Sequence, residues 1–244
     1  MEKIVSISLF DKIGNFLIKR MVGAFESSYR HINTNIIDYL KLENNKKTLK
    51  ILDLGCSDFK VTKKYLKNVK NYELHAVDIE NKIDNKNIKY IKLDLEKDVL
   101  PYKNNFFDII IAGQVIEHIL NKDWFLQESY RVLKSKGLFI CATENIASFD
   151  NILSLILGQE PLSQHTGSKY NTNSFISPHF MKKVSSKFGN KYAHKNVCSY
   201  YGLTRLVKIN GFLNFKIISL GNINIIFEKI FKIYNRLLIV YAIK

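Results

Sequence analysis

Ile51-Leu52-Asp53-Leu54-Gly55-Cys56-Ser57-Asp58 is the stretch on which the reading of this chain turns. Residues 49–54 form a short apolar run that stops at a glycine, the pattern of a buried strand followed by a tight turn. Gly55 has no Cβ, so the backbone there can bend sharply and come close to a ligand. A helix opening after such a turn offers unpaired N–H groups and a positive dipole end, which suit a carboxylate or phosphate. Residues 61–69 read as that helix, short and basic.

Downstream the same grammar repeats. Residues 72–77 read as a second strand ending in Asp78, and 88–93 as a third ending in Asp94. Residues 108–112 form a fourth strand, the most apolar and therefore expected at the centre of a sheet. A helix over 124–133, stopped by Lys134-Ser135-Lys136-Gly137, leads to a fifth strand over 138–142. Near the C-terminus, a helix over 204–209 closes at Asn210-Gly211. Strand 215–220, helix 223–234 and strand 237–243 follow. Strands alternating with helices predict an α/β fold, a Rossmann-like and mostly parallel sheet with helices on both faces. Upstream, apolar residues at three- and four-residue spacings, among them Leu17, Ile32 and Ile36, predict a helix over 9–42. The polar stretch 43–47 then divides the chain into an N-terminal helical segment, 1–46, and a main domain, 47–244. Residues 145–196, rich in Ser, Asn, Gly and His, break the rhythm and read as an insertion over the substrate side.

In a sheet of this kind ligands bind beyond the carboxyl ends of the strands, where strand order reverses. Four features fall there in order: the Asp53-Leu54-Gly55 turn, Asp78, Asp94, and Ala112-Gly113-Gln114 leading into Val115-Ile116-Glu117-His118. Asp78 lies at the distance along the chain where such folds place a carboxylate against ribose hydroxyls. Together with Phe107-Asp108-Ile109-Ile110 and Arg131–Gly137, this series resembles the successive motifs of class I S-adenosylmethionine-dependent methyltransferases. The nearest branch by motif is the one holding ubiquinone-biosynthesis and many small-molecule O-methyltransferases. The resemblance implies seven strands with the last antiparallel, and S-adenosylmethionine as cofactor. It places Asp53, Gly55 and Ser57 around the methionine moiety, Asp78 on the ribose and Asp94 with Leu95 beside the adenine. The Ala112-Gly113 backbone falls near the methionine amine, and Cys56 and Ile79 join the cofactor-binding set. One departure stands out: Ser57 and Phe59 occupy positions where that family carries glycines.

For methyl transfer to a hydroxyl, a base that removes the proton assists the displacement. His118 is the candidate catalytic residue, since an imidazole's ordinary pKa of ~6.5 suits the task. Gln164, His165, Tyr170, His179, Tyr192 and His194 are further polar residues of the insertion, and none is assigned a role. Leu153-Ser154-Leu155-Ile156-Leu157 reads as a helix packed on the core first, with the lining of an acceptor pocket or a dock for a lipid tail as the alternative. The three cysteines, Cys56, Cys141 and Cys198, are scattered, and no ligand cluster is visible, so no metal is expected.

The chain has 244 residues and a net charge of +15, a surface attractive to anions. The function expected is methylation of a small-molecule acceptor, O-methylation of a sugar or glycan intermediate first, with an anionic acceptor compatible with the charge. The alternatives are a quinone or lipid C-methyltransferase, a nucleic-acid methyltransferase and a non-catalytic cofactor-binding homologue. Nucleic acid is the weaker partner, because no motif of the base-modifying enzymes follows the fourth strand and no RNA-binding module is visible. The expected setting is cytoplasmic. No apolar run approaches the ~20 residues that span a bilayer, which leaves peripheral membrane contact open.

Overall fold

Seven strands, most of them with apolar centres, pair into one sheet, and the order in which they pair locates the site. The computed structural model describes residues 9–42, 48–57, 59–80, 87–164, 193–221 and 231–244. In chain order the elements are α1 (Leu9–Leu42), β1 (Leu49–Leu54), α2 (Lys60–Tyr65), β2 (Tyr72–Asp78), β3 (Ile88–Lys92) and β4 (Phe107–Gly113). A 3-10 turn (Ile116–His118), α3 (Lys122–Val132), β5 (Leu133–Glu144), α4 (Phe149–Ile156), α5 (Tyr200–Ile209), β6 (Asn214–Leu220) and β7 (Leu237–Ile243) follow. The strand order is β3-β2-β1-β4-β5-β7-β6. Strands β1 to β5 pair in parallel, and β7 runs antiparallel between β5 and β6. This is the Rossmann-like α/β sheet expected, with the last strand reversed.

Successive residues of a strand face opposite sides, and here they feed two cores. Ile51, Ile109, Ile111 and Ile140 pack with Ala24, Ile32 and Ile36 of α1 and with Tyr65 of α2. Leu52, Ile110 and Phe139 pack on the other side with Phe125 and Leu126 of α3, Leu203 and Val207 of α5, and Phe212. Phe212 stacks on Phe139 with ring centroids 4.7 Å apart. Burying a side chain of this size contributes roughly 1.5–3 kcal/mol. α1 thus closes one face of the same sheet. Its Asn33 also caps α2, with Nδ2 donating to the carbonyls of Tyr65 at 2.7 Å and Lys67 at 2.5 Å.

Four sequence expectations differ from the structure among the described residues. α3 ends at Val132, and the Lys134–Gly137 stretch is part of β5. The pairing shifts register between Phe107 and Ile109, and Lys136, at φ 63, makes the irregularity. The C-terminal residue explains it: Lys136 N and Gly137 O both bond the Lys244 backbone, so β7 continues the ladder past the bulge. α2 stops at Tyr65 and does not reach residue 69. α5 begins at Tyr200, where Ser199 Oγ accepts from Gly202 N. Most of the helix expected over 223–234 lies outside the described residues. Among those described, Lys232–Tyr234 form only a 3-10 turn.

β1 is flanked by β2 and β4, so the topological switch falls between β1 and β4. The carboxyl ends of these two strands are where a ligand is expected.

Candidate active site

The β1–α2 turn keeps a glycine-loop backbone although two glycines are missing. Gly55 has φ +71, and Ser57 and Phe59 sit at φ 46 and φ 60. Side chains resist this region by roughly 1–2 kcal/mol per residue. The loop is held there regardless, with Gly55 N donating to Val77 O at 2.7 Å and Ser57 N to Asp78 Oδ2 at 2.8 Å. Phe59 turns aside: it is buried in the apolar core beneath α1, together with Cys56. The aromatic ring therefore stabilises the strained loop from below. Gly55 is needed for space as well as for its angle, since a Cβ there would stand 2.4 Å from Val115 Cγ2. Ser57→Gly, which releases the strain at a small entropic cost, should raise stability by about 1 kcal/mol, a rise in Tm of about 2–4 °C in a thermal melt.

Asp53 lies at the floor of the turn and is buried. Burial pushes its carboxyl up to about 7, against the Thr62 hydroxyl that donates to Oδ2, with the charge of Asp78 adding to the rise. Asp78 ends β2 with Oδ2 on Ser57 N and Oδ1 accepting from Glu80 N at 3.2 Å. Its orientation is thereby set from both sides. Ile79 follows with 60% of its surface exposed, an apolar face beside the carboxylate. At the end of β3, Asp94 Oδ1 accepts from Glu96 N at 3.0 Å, and Oδ2 pairs with Lys97 at 3.0 Å. Burial raises the Asp94 carboxyl, yet the Glu96 amide and Lys97 outweigh it and hold it below the ordinary value. Leu95 packs against the core next to it. The Cys56 side chain faces the core, and burial pushes its thiol far up. Any contact of Cys56 with a ligand would be through its backbone.

At the end of β4, Ala112 is fully buried and Gly113 abuts Tyr65. Gln114 takes φ 59, and its buried Nε2 makes no hydrogen bond among the described residues. Beyond it, Glu117 is buried, with Oε2 accepting from Thr143 Oγ1 at 2.9 Å. Burial pushes its carboxyl up to about 8, and Glu144 adds to the rise. His118 Nδ1 lies 3.1 Å from Ala193 O, and its ring stands edge-on to His194 at a centroid separation of 4.8 Å. His194 Nδ1 is 2.5 Å from Ser163 O and 3.8 Å from Glu144 Oε2. Arg236, fully buried, bonds Glu144 Oε1 at 3.1 Å.

The candidates at the ends of β1, β2 and β4 therefore converge, while Asp94 and Leu95 both follow the edge strand β3, outside β2. The sequence reading missed Tyr65, Thr62, Glu144 and Arg236, whose positions follow no motif. It also found no ligand cluster, whereas the fold brings Glu117, His118 and His194 within 4.8 Å, a group able to hold a metal ion. Glu117 and His194 lie 77 positions apart in the chain, which hid that grouping. His165, Tyr170, His179 and Tyr192 lie outside the described residues.

α4 corrects the expectation of a core-packed helix. It turns Asp150, Asn151 and Ser154 inward and exposes Leu153, Leu155, Ile156 and Leu157. Asp150 pairs with Arg20 of α1 at 3.3 Å, and Asn151 Nδ2 reaches Ser163 Oγ at 2.5 Å. The polar face is therefore the one that fixes the helix.

A sequence profile described as "Methyltransferase domain" matches residues 52–141, the span from β1 through most of β5. Residues 52–141 thus match a methyltransferase domain, and the chain shares the fold of S-adenosylmethionine-dependent methyltransferases. It is 27% identical over 180 residues to a ubiquinone biosynthesis O-methyltransferase of Pelagibacter ubique, covering 65% of this chain and 69% of that one. It is also 27% identical to the mitochondrial enzyme of that name from Rattus norvegicus, covering 56% of this chain but only 42% of the rat protein. Among solved structures, an S-adenosylmethionine-dependent methyltransferase from Archaeoglobus fulgidus shares the fold, with TM-score 0.55 at 17% identity over 90% of this chain and 94% of that one. A phosphoethanolamine N-methyltransferase from Haemonchus contortus, solved with S-adenosylmethionine, matches at TM-score 0.52 and 14% identity, covering 87% of this chain and 52% of that one.

The methyltransferase domain's own residues fit the cofactor. Glycines stand at both strand ends where a Cβ would collide, Asp78 is held with its carboxylate oriented, and Gln114 offers an unpaired donor. No helix among the described residues is long and apolar enough to cross a membrane.

Proposed function

We propose that this chain methylates a hydroxyl oxygen of a small-molecule acceptor, with His118 as general base. One observation carries the choice of His118. Ala193 O can only accept, so His118 Nδ1 carries the proton of the neutral ring and Nε2 holds the lone pair. A fixed tautomer is what a base needs for repeated turnover. Bound S-adenosylmethionine supplies an electrophilic methyl group, displaced in line, so that the protein's main task is alignment. Asp78 and the Gly55–Ser57 backbone orient the cofactor, and Asp94, Leu95 and Ile79 flank its adenine. In this reading His118, carried on the turn at 116–118, stands on the acceptor side.

For the acceptor, the exposed apolar residues of α4, fastened to His194 through Ser163, favour a hydroxylated compound with an apolar portion. The similarity to ubiquinone biosynthesis O-methyltransferases favours the same reading. The sugar or glycan acceptor is the second reading, favoured by the net charge of +15 when that acceptor is anionic. The test is incubation with S-adenosylmethionine and a panel of catechols, alkylated phenols, sugar phosphates and RNA, read by mass spectrometry. An added methyl group on oxygen of a phenolic acceptor is the expected result. Methylation confined to carbon, nitrogen or RNA would overturn the O-methylation reading.

A further inference from the structure

A helix at a protein surface ordinarily turns its apolar side inward. α4 does the reverse, and polar contacts fix the reversal. Asp150 pairs with Arg20 of α1, Asn151 bonds Ser163, and Ser154 Oγ donates to Asp150 O at 2.8 Å. The outward side is Leu153, Leu155, Ile156 and Leu157, with Ile156 75% exposed. Rotating α4 to bury them would break the contacts to Arg20 and Ser163. The apolar surface does not end with the helix. Arg20 stands over the ring of Phe16 at 5.5 Å, and Phe16 is itself 57% exposed. At the start of α4 the Phe149 ring meets Phe231, another exposed aromatic, at a centroid separation of 6.1 Å. Exposed apolar groups gathered from three separate segments of chain mark a place of contact.

The charges around this surface define the partner. Lys12 and Lys19 are exposed on α1, four positions before Phe16 and three after it, the spacing that puts all three on one helix face. Lys232, also exposed, follows Phe231. Against them stands Glu160, the one carboxylate between residues 151 and 164, while Asp150 is buried against Arg20. A second copy of the chain laid on this face would set lysine against lysine, and each copy carries a net charge of +15. An anionic bilayer answers both features at once, with acyl chains for the leucines and headgroup phosphates for the lysines.

We propose that the exposed face of α4, extended by Phe16 and Phe231 and edged by Lys12, Lys19 and Lys232, docks the protein on the surface of an anionic lipid bilayer. The docking belongs to this surface and does not depend on which acceptor the site takes. α4 is joined through Asn151 and Ser163 to His194, whose ring lies against His118, so the docking face and the proposed base belong to one bonded unit.

Flotation of the full chain with vesicles tests this. One set is phosphatidylcholine alone, the other phosphatidylcholine and phosphatidylglycerol in a two-to-one ratio. Binding to the mixed vesicles about tenfold or more tighter than to the neutral ones, and weakened by salt, is the expected result. Leu155→Asp with Ile156→Asp should lower that affinity about tenfold or more at an unchanged melting temperature, because both side chains are exposed. Lys12→Glu with Lys19→Glu keeps the leucines and should cost about tenfold on the mixed vesicles alone. No binding to either vesicle, equal binding to both, or binding untouched by the aspartate pair would overturn the proposal. So would a parent dimer, seen by light scattering without lipid, that the aspartate pair dissociates, since the face would then belong to a second copy. If the aspartate pair unfolds the chain, the glutamate pair decides: mixed-vesicle binding that survives it overturns the proposal.

Discussion

His118→Ala should lower turnover by about 10²–10⁴-fold, the range supplied by a positioned general base, while affinity for S-adenosylhomocysteine stays within about threefold of the parent. The split follows from where the residue sits. His118 lies on the turn after β4, beyond Gly113 and Gln114, and its ring is held by Ala193 and His194 of the segment that closes the insertion. None of the groups set against the cofactor's nucleoside depends on it. His118→Gln is the sharper variant, because it can keep a donor on Ala193 O and yet provides no base. If turnover survives in both variants, the acceptor is deprotonated by another group or needs no base. A parallel fall in cofactor affinity would place His118 in the binding site and not in the chemistry.

Asp78→Asn should weaken S-adenosylhomocysteine binding by about 10- to 100-fold, from the loss of ~1.5–3 kcal/mol of hydrogen bonding to a charged group. Asparagine matches the shape and retains an acceptor for Ser57 N, so the loop anchor survives in part. What disappears is the charge, with its capacity to accept from ribose hydroxyls. The effect should be equal for 5′-methylthioadenosine, which has the same ribose. An affinity unchanged in Asp78→Asn would remove this carboxylate from the site.

These expectations rest on a site that was half legible in the sequence. Asp53, Asp78 and Gly113 could be placed because each ends an apolar run, and the carboxyl ends of parallel strands meet at one edge. The Lys134–Gly137 stretch was misjudged for a local reason: charged residues and a glycine read as a turn, but the Lys244 backbone pairs with them and turns the stretch into a bulge within β5. α4 was misjudged because apolar residues ordinarily face inward. Here Asp150 meets Arg20 from α1, and Asn151 meets Ser163, so the polar side is buried and the leucines are outside. His194, Glu144 and Arg236 converge from separate stretches near the end of the insertion, β5 and β7, and nothing in their spacing announces it. Phe59 is the most instructive case. As a letter it reads as damage to a glycine loop. In the structure it holds the glycine conformation at φ 60 and plugs the core beneath, so that substitution and loop geometry coexist.

The central claim is that this altered loop still holds the cofactor. Titration of S-adenosylhomocysteine into the parent chain, followed by calorimetry, tests it most directly. Saturable one-to-one binding, weakened in Asp78→Asn, is the predicted result. No heat of binding from a folded chain at ligand concentrations up to ~1 mM, where even a weak site with ΔG of about −4 kcal/mol would be half filled, would contradict it.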